Sequence, residues 1–292
     1  MLDWKGLLLL SPGLGIFVYG LAELASGRGF GSPTTIAGTG LGLALLLAFI
    51  WHSRQREGAL IDVKLFARRT VAASALTNFL FGSVFFSLSL LMPLYIQIVR
   101  GQPALQAGLL LAVQGVGAMI TMPIAGKLTD KIGAGKIVLV GVALFALGIF
   151  SLTRLTGDTP FRYIQLALFL NGLGVGATMM PTMSAALGTL KRAEVARATS
   201  GLNVLLRAGG SVGTALSVVL LTYRLSNVLQ SAGNAPFDLA AARNLPAATR
   251  AAMLPALGDA FGHTFLGLFG IVLLTFISAL FLPRNPKTEA AQ

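Results

Sequence analysis

Apolar stretches alternate along this chain with short polar segments, and the apolar stretches are too long for strands. A helix needs about 20 apolar residues to cross about 30 Å of hydrocarbon. Stretches of that order run at about 6–24, 34–51, 70–98, 105–125, 137–155, 162–188, 200–223 and 263–283. The pattern predicts an all-α polytopic membrane protein with about eight transmembrane helices. The first stretch has Lys5 ahead of Leu7 to Leu10, as a secretory signal would. However, Asp3 stands in its charged region, Pro12 interrupts it and a second apolar stretch follows at once, so it is read as a retained span.

Composition narrows the function. Charged residues are 11% of the 292, against about 25% in soluble domains, and 55% are hydrophobic, which excludes a water-soluble enzyme. The absence of cysteine removes disulfides, thiolate metal sites and cysteine nucleophiles, and two histidines leave little for zinc. No metal, cofactor or enzymatic nucleophile–base pair is expected. The net charge of +12 raises nucleic acid as a partner, but the basic residues lie between apolar stretches instead of forming a stripe with aromatics. The expected surroundings are membrane lipid, with no nucleic acid.

The basic residues also orient the spans. Lys5, Arg54, Arg56, Lys64, Arg68, Arg69, Lys127, Lys131, Lys136, Lys191, Arg192, Arg197, Arg284 and Lys287 fall on one side. Arg28, Arg100, Arg154, Arg162, Arg224, Arg243 and Arg250 fall on the other, and Arg207 lies inside a span. Positive charge is retained on the cytoplasmic side, so both termini are expected there, in a cell (inner) membrane. The longest loop, about 224–262, is then external; its Ala-rich, Pro-punctuated text predicts short surface helices and carries no evident chemistry. Gly38/Gly42, Gly172/Gly176 and Gly209/Gly213 place small residues at four-residue spacing, which favours close helix packing and would also suit a bundle that rocks.

One cytoplasmic segment is distinctive: Gly126-Lys-Leu-Thr-Asp130-Lys131-Ile-Gly133-Ala-Gly135-Lys136. It reads as a glycine-bounded turn of about ten residues between antiparallel helices, with Asp130 placed to accept backbone N–H bonds near a helix start. Upstream stand Met92-Pro-Leu-Tyr-Ile-Gln97, Gly101-Gln-Pro-Ala-Leu-Gln-Ala-Gly108 and Pro123-Ile-Ala-Gly126. Together these resemble the carboxy-terminal half of major facilitator transporters, and most nearly the fourteen-helix drug:proton antiporters of the EmrB/QacA type. Leu2-Asp3-Trp4-Lys5-Gly6, Ile61-Asp62-Val63-Lys64-Leu65-Phe66 and Asn203 to Gly213 are similar to that type as well. The resemblance implies that Gly126, Asp130, Lys131, Gly133 and Lys136 form a cytoplasmic latch.

The resemblance also implies an organisation: two accessory helices at 1–52, a cytoplasmic linker at 53–69, a six-helix transporter bundle at 70–284 and a cytoplasmic tail at 285–292. The family's amino-terminal bundle is missing, and with it the main membrane-embedded acids and the motif associated with antiport. Ala112-Val113 stands where the family would place a proline, which puts a kink in the fourth span in doubt.

Sites in such transporters lie near the bilayer midplane between two halves. On the third span Asn78, Gly82, Phe85 and Ser89 share a helical stripe; on the sixth Asn171, Val175, Thr178 and Thr182 do the same. By the resemblance these helices line the central cavity, and Gln114, Thr121, Met179 and Met180 would complete it. Interhelical hydrogen bonding is the competing reading for the asparagines, and core packing for the methionines. Arg207, seven residues inside the expected edge, is read as a gating or structural charge able to snorkel to the interface. Glu23 lies near the outer end of an accessory helix, and no carboxylate sits mid-membrane in the last six spans, so proton coupling would rest on the missing half.

Two functions follow. One is the carboxy-terminal part of a secondary efflux transporter for hydrophobic or amphiphilic small molecules, inactive without an amino-terminal half. The other is a non-transporting assembly or binding protein that pairs with a second copy through the cavity face.

Overall fold

The computed structural model describes residues 3–23, 32–55, 63–230 and 247–284. Among these residues there are eight long helices: α1 (Trp4–Glu23), α2 (Pro33–Gln55), α3 (Arg69–Ile98), α4 (Ala104–Ile132), α5 (Ala134–Leu152), α6 (Phe161–Leu187), α7 (Arg192–Gln230) and α8 (Ala247–Ala279). Each is long and apolar enough to cross a membrane, as the apolar stretches require. A 3-10 turn, Val63–Ala67, leads into α3. Arg28, Arg56, Arg243, Lys287 and the Asn234-Ala-Pro segment lie outside the described residues.

Helices α1 and α2 form a hairpin beside a six-helix bundle. Asp3 caps α1 by accepting the Gly6 N–H at 3.0 Å, and the same carboxylate oxygen lies 3.2 Å from His52 Nε2 near the end of α2. Within the bundle α3 crosses α7 and α4 crosses α6, while α5 packs on α6 and α8 packs on α3 and α5. The α3/α7 crossing has a counterpart in the α6/α4 crossing. The core between these helices is built on Phe81, Leu88, Leu91, Tyr95, Phe145, Ile149, Phe261 and Phe265, all essentially inaccessible.

Glycine sets how closely these helices approach. A Cβ on Gly117 of α4 would stand 2.6 Å from the Phe169 carbonyl oxygen of α6, and one on Gly176 of α6 would stand 2.7 Å from the Ala118 carbonyl oxygen of α4. Gly209 and Gly213 meet the Phe79 and Ser83 carbonyls of α3, and Gly38 and Gly42 meet Gly20 and Phe17 of α1. All three glycine pairs thus serve backbone-to-backbone packing, which lipid-embedded helices need because lipid offers no hydrophobic drive for association.

Both ends of the bundle are tied. At the end bearing most of the basic residues, Arg68 pairs with Glu194 at 3.0 Å and the Gly135 N–H donates to the Pro283 carbonyl at 2.9 Å. At the other end Arg100 donates to the Gly157 carbonyl and stacks over Phe161, 4.7 Å from its ring centre. Tyr95 donates its hydroxyl to the Thr156 carbonyl in the same turn.

The long connection differs from expectation. Its flanks are not separate surface helices: α7 continues to Gln230 and α8 begins at Ala247. Once outside hydrocarbon a helix with good local propensity has no reason to stop, so these two extend beyond the apolar text that revealed them. Helix α4 runs unbroken past Ala112-Val113, with Pro123 as its internal proline.

Candidate functional site

The Gly126–Lys136 segment is not a ten-residue turn. Helix α4 continues through Gly126, Lys127 and Asp130 to Ile132, and α5 begins at Ala134. The reversal is made by Gly133 alone, at φ 93° and ψ 143°, a conformation that residues with a Cβ rarely adopt. Leu128, Lys127 and Lys131 are good helix formers, and the turn around Gly126 is crowded by nothing, so that glycine's freedom goes unused. The backbone N–H at the start of α5 goes to Pro283 instead of Asp130, because the chain after α8 closes over Gly135.

Asp130, Lys131 and Lys136 are exposed at this end, grouped around the buried Gly133. The lysine in the last turn of α4 suits the negative end of the helix dipole; Asp130 opposes it. No hydrogen bond or ion pair reaches Asp130 within the described residues. An acid placed against its own helix dipole without a partner is a local inconsistency of the kind found at functional positions.

The residues expected around one cavity are distributed among different helix seams. Asn171 is wholly buried; its Nδ2 donates to the Ala167 carbonyl at 2.8 Å and its amide packs against Gly148 of α5. Thr178 is 1% exposed and lies against Gly141 of α5. A side chain fully covered inside its own bundle cannot face a second half, so these two belong to the α5–α6 seam. Gln114 is likewise buried; it lies on the α4 stripe that packs against α6.

Three polar atoms in these seams lack a hydrogen bond: Gln114 Nε2, Asn171 Oδ1 and Thr178 Oγ1. Asn78 is 4% exposed on α3. Phe85, Ser89 and Met179 are half-buried; Phe85 stacks on Phe81 at 6.2 Å, and Ser89 donates to the Phe85 carbonyl of its own helix. Met180 is 54% exposed.

Arg207 lies within α7, where the apolar text begins at about 200, so it stands about seven residues, or about 10 Å by helical rise, inside that edge. That depth leaves it within snorkelling reach of the basic end. The side chain is exposed, and it lies on a polar stripe of Ser200, Asn203, Arg207, Ser211 and Thr214, each partly or fully exposed. Together with Phe86 of α3, Arg207, Ser211 and Thr214 bound a pocket of about 220 Å³. The spacing of this stripe was readable from the sequence, but only Arg207 had stood out there.

A second missed pair is Asp259 and His263, one turn apart on α8, bounding a pocket of about 390 Å³ with Thr153, Arg154 and Thr156. Among the described residues no three acidic or histidine side chains gather closely enough to hold a metal ion.

The sequence has known relatives. The family model of the Major Facilitator Superfamily matches residues 4–214 and, again, 74–292. The chain is 37% identical over 98% of its length to a Mycobacterium tuberculosis protein named multidrug resistance protein B homolog, of which it covers 56%. It is 27% identical over 76% of its length to the lincomycin resistance protein LmrB of Listeria innocua, covering 47% of that protein. An uncharacterized transporter of the same superfamily from Bacillus subtilis, YhcA, is 29% identical over 76% of the chain. The chain belongs to the Major Facilitator Superfamily and is a multi-pass membrane protein. It spans about half the length of the curated relatives it matches.

Proposed function

We propose that this chain is the carboxy-terminal part of a secondary multidrug or small-molecule efflux transporter of the fourteen-helix type, working by alternating access with proton antiport. In this reading α1 and α2 are the accessory pair and α3–α8 are one six-helix half. Both termini and the Asp130 segment lie on the cytoplasmic side of a cell membrane, and Gly126, Asp130, Lys131, Gly133 and Lys136 form the latch. An amino-terminal half, on the same polypeptide or another, supplies the second wall of the cavity and the proton-carrying acid.

The observation that carries this reading is the exposed polar stripe of α7 with Arg207 inside its apolar stretch. A guanidinium within a span is costly, and such residues usually face a cavity or a partner. On this chain's side, the proposed wall is Arg207, Phe85, Ser89 and Met179; Asn78, Gln114, Asn171 and Thr178 support it from behind. The half-buried aromatic and methionine side chains repack around varied hydrophobic ligands.

Proton-driven drug export tests the proposal. Tagging the carboxy terminus at the native locus gives the size of the working polypeptide. That polypeptide, reconstituted with its partner half if the two are separate, should drive drug uptake into inverted vesicles on a proton gradient. A protonophore should abolish the uptake. Gradient-independent binding without accumulation would overturn the reading in favour of a non-transporting assembly protein.

A further inference from the structure

The accessory hairpin does not seal against the bundle. Between α1, α2, α3 and α7 lies a groove of about 570 Å³, within the usual range of about 300–1,000 Å³ for ligand sites. Its wall is apolar on every side: Leu14 from α1, Leu46 and Ile50 from α2, Phe79 from α3, Val204 and Ala208 from α7. Along α7 the groove reaches from Gly201 to Val212, eleven residues or about 16 Å of helix. It starts near the basic end and finishes near mid-span, so its depth matches one leaflet, half of a hydrocarbon core of about 30 Å.

One helical turn beyond the lining stands a basic residue on each of two helices. Arg54 lies four residues beyond Ile50 on α2, continuing the lining stripe one turn towards the basic end, and its side chain is exposed. Arg197 stands four residues before Gly201 on α7, on the same stripe as Val204 and Ala208. Positive charge one helical turn beyond an apolar slot one leaflet deep complements one chemistry in particular: a phosphate headgroup carried on an acyl chain.

We propose that this groove is a binding site for an anionic membrane phospholipid, which seats one acyl chain between the accessory hairpin and α7 and its headgroup against Arg54. The lipid fills space that the helices leave open and couples the hairpin to a helix that carries the functional stripe. This site is separate from the proposed transport cavity, and it does not depend on whether the chain transports.

The working protein, purified with its partner half if there is one, is exchanged into nanodiscs of phosphatidylglycerol and phosphatidylcholine in equal amounts. Lipid retained after extraction into mild detergent is then counted by native mass spectrometry. The expected result is one phosphatidylglycerol held per chain in preference to phosphatidylcholine. Arg54→Ala should reduce that preference about fivefold, as loss of one basic residue near the headgroups predicts. Ala208→Phe, which fills the slot, should abolish retention of either lipid. Should Ala208→Phe fail to fold, Val204→Met narrows the slot more gently and should shorten retention. Equal retention by wild type and the filled variants overturns the site. So does a disulfide between cysteines placed at Leu14 in two copies, which would make the groove a self-interface. Tight retention of a hydrophobic drug with no phospholipid preference would overturn the lipid assignment as well.

Discussion

Gly172 of α6 lies directly beneath the carbonyl oxygen of Gln114 on α4, so close that a Cβ built on it would run into that oxygen. The contact is between backbones, and no rotamer change relieves it. Gly172→Ala must push α6 away from α4, and an overpacked site of this kind costs about 1–3 kcal/mol. Gly115 of α4 has nothing within reach of an added Cβ. Gly115→Ala should therefore leave the chain unchanged or raise its stability by about 0.5–1 kcal/mol. Thermal unfolding of the two variants in one detergent checks the pair; equal effects would mean that the α4–α6 approach does not limit stability.

Gly133 offers a sharper version. At φ 93° and ψ 143° it makes the whole reversal between α4 and α5. An alanine there is strained whatever space surrounds it, at a cost of about 1–3 kcal/mol. Gly126, seven residues earlier and helical, has open space around it and should accept alanine. If Gly126→Ala proves the more damaging for folding, the single-residue turn is wrong.

How much of this was legible beforehand depends on the kind of information. The spans could be read because hydrocarbon thickness demands a minimum apolar length, and α1 to α6 begin and end close to where the sequence changes character except at the end of α4, which runs on to Ile132. The ends of α7 and α8 could not be read, since a helix in water is not bounded by hydropathy. Helical periodicity placed Asn171 and Thr178 on one stripe but could not say which neighbour the stripe meets. Gly148 and Gly141, the residues they touch, lie on another helix. The latch segment was misjudged for a related reason: glycines were taken as turn residues, yet only Gly133 uses its freedom.

The position of Arg207 separates stability from function. Replacing it with leucine removes a charge from within the apolar stretch of α7, so Arg207→Leu should raise the thermal midpoint of the membrane-embedded protein. Transport by the assembled protein should fall by tenfold or more, with Arg207→Lys intermediate, since about 1.4 kcal/mol in the transition state corresponds to tenfold. A stabilised variant that transports at the wild-type rate would remove Arg207 from the mechanism.

Asp130 is expected to act on the conformational equilibrium. It is exposed and opposes the dipole of α4, so Asp130→Asn should not destabilise the isolated chain. In the assembled transporter it should weaken the state closed towards the cytoplasm. With no native cysteine in this chain, a single cysteine at Ser200 on the exposed face of α7 reports the change. Its labelling from the cytoplasmic side should rise about fivefold, the lower end of typical coupling between states. Unchanged labelling together with unchanged transport would exclude a latch role.

The Arg68–Glu194 pair joins the start of α3 to the start of α7, and its geometry makes an ordering testable. Arg68 donates from Nη1 at 3.2 Å and Nη2 at 3.0 Å to the two carboxylate oxygens, and Nη1 lies 3.3 Å from the Thr189 carbonyl. Glu194 also accepts the Lys191 N–H at 3.0 Å, the backward half of a capping box. Glu194→Gln keeps the cap and loses the ion pair, whereas Glu194→Ala loses both, so alanine should lower the thermal midpoint further than glutamine. Only the ion-pair part is screened. Raising the ionic strength from about 0.01 M to 0.1 M shortens the Debye length from about 30 Å to about 10 Å, so the gap between wild type and Glu194→Gln should narrow with salt. The gap between glutamine and alanine should persist, because a backbone hydrogen bond is not screened in this way. If salt closes both gaps equally, the capping contact contributes nothing and the pair acts through charge alone.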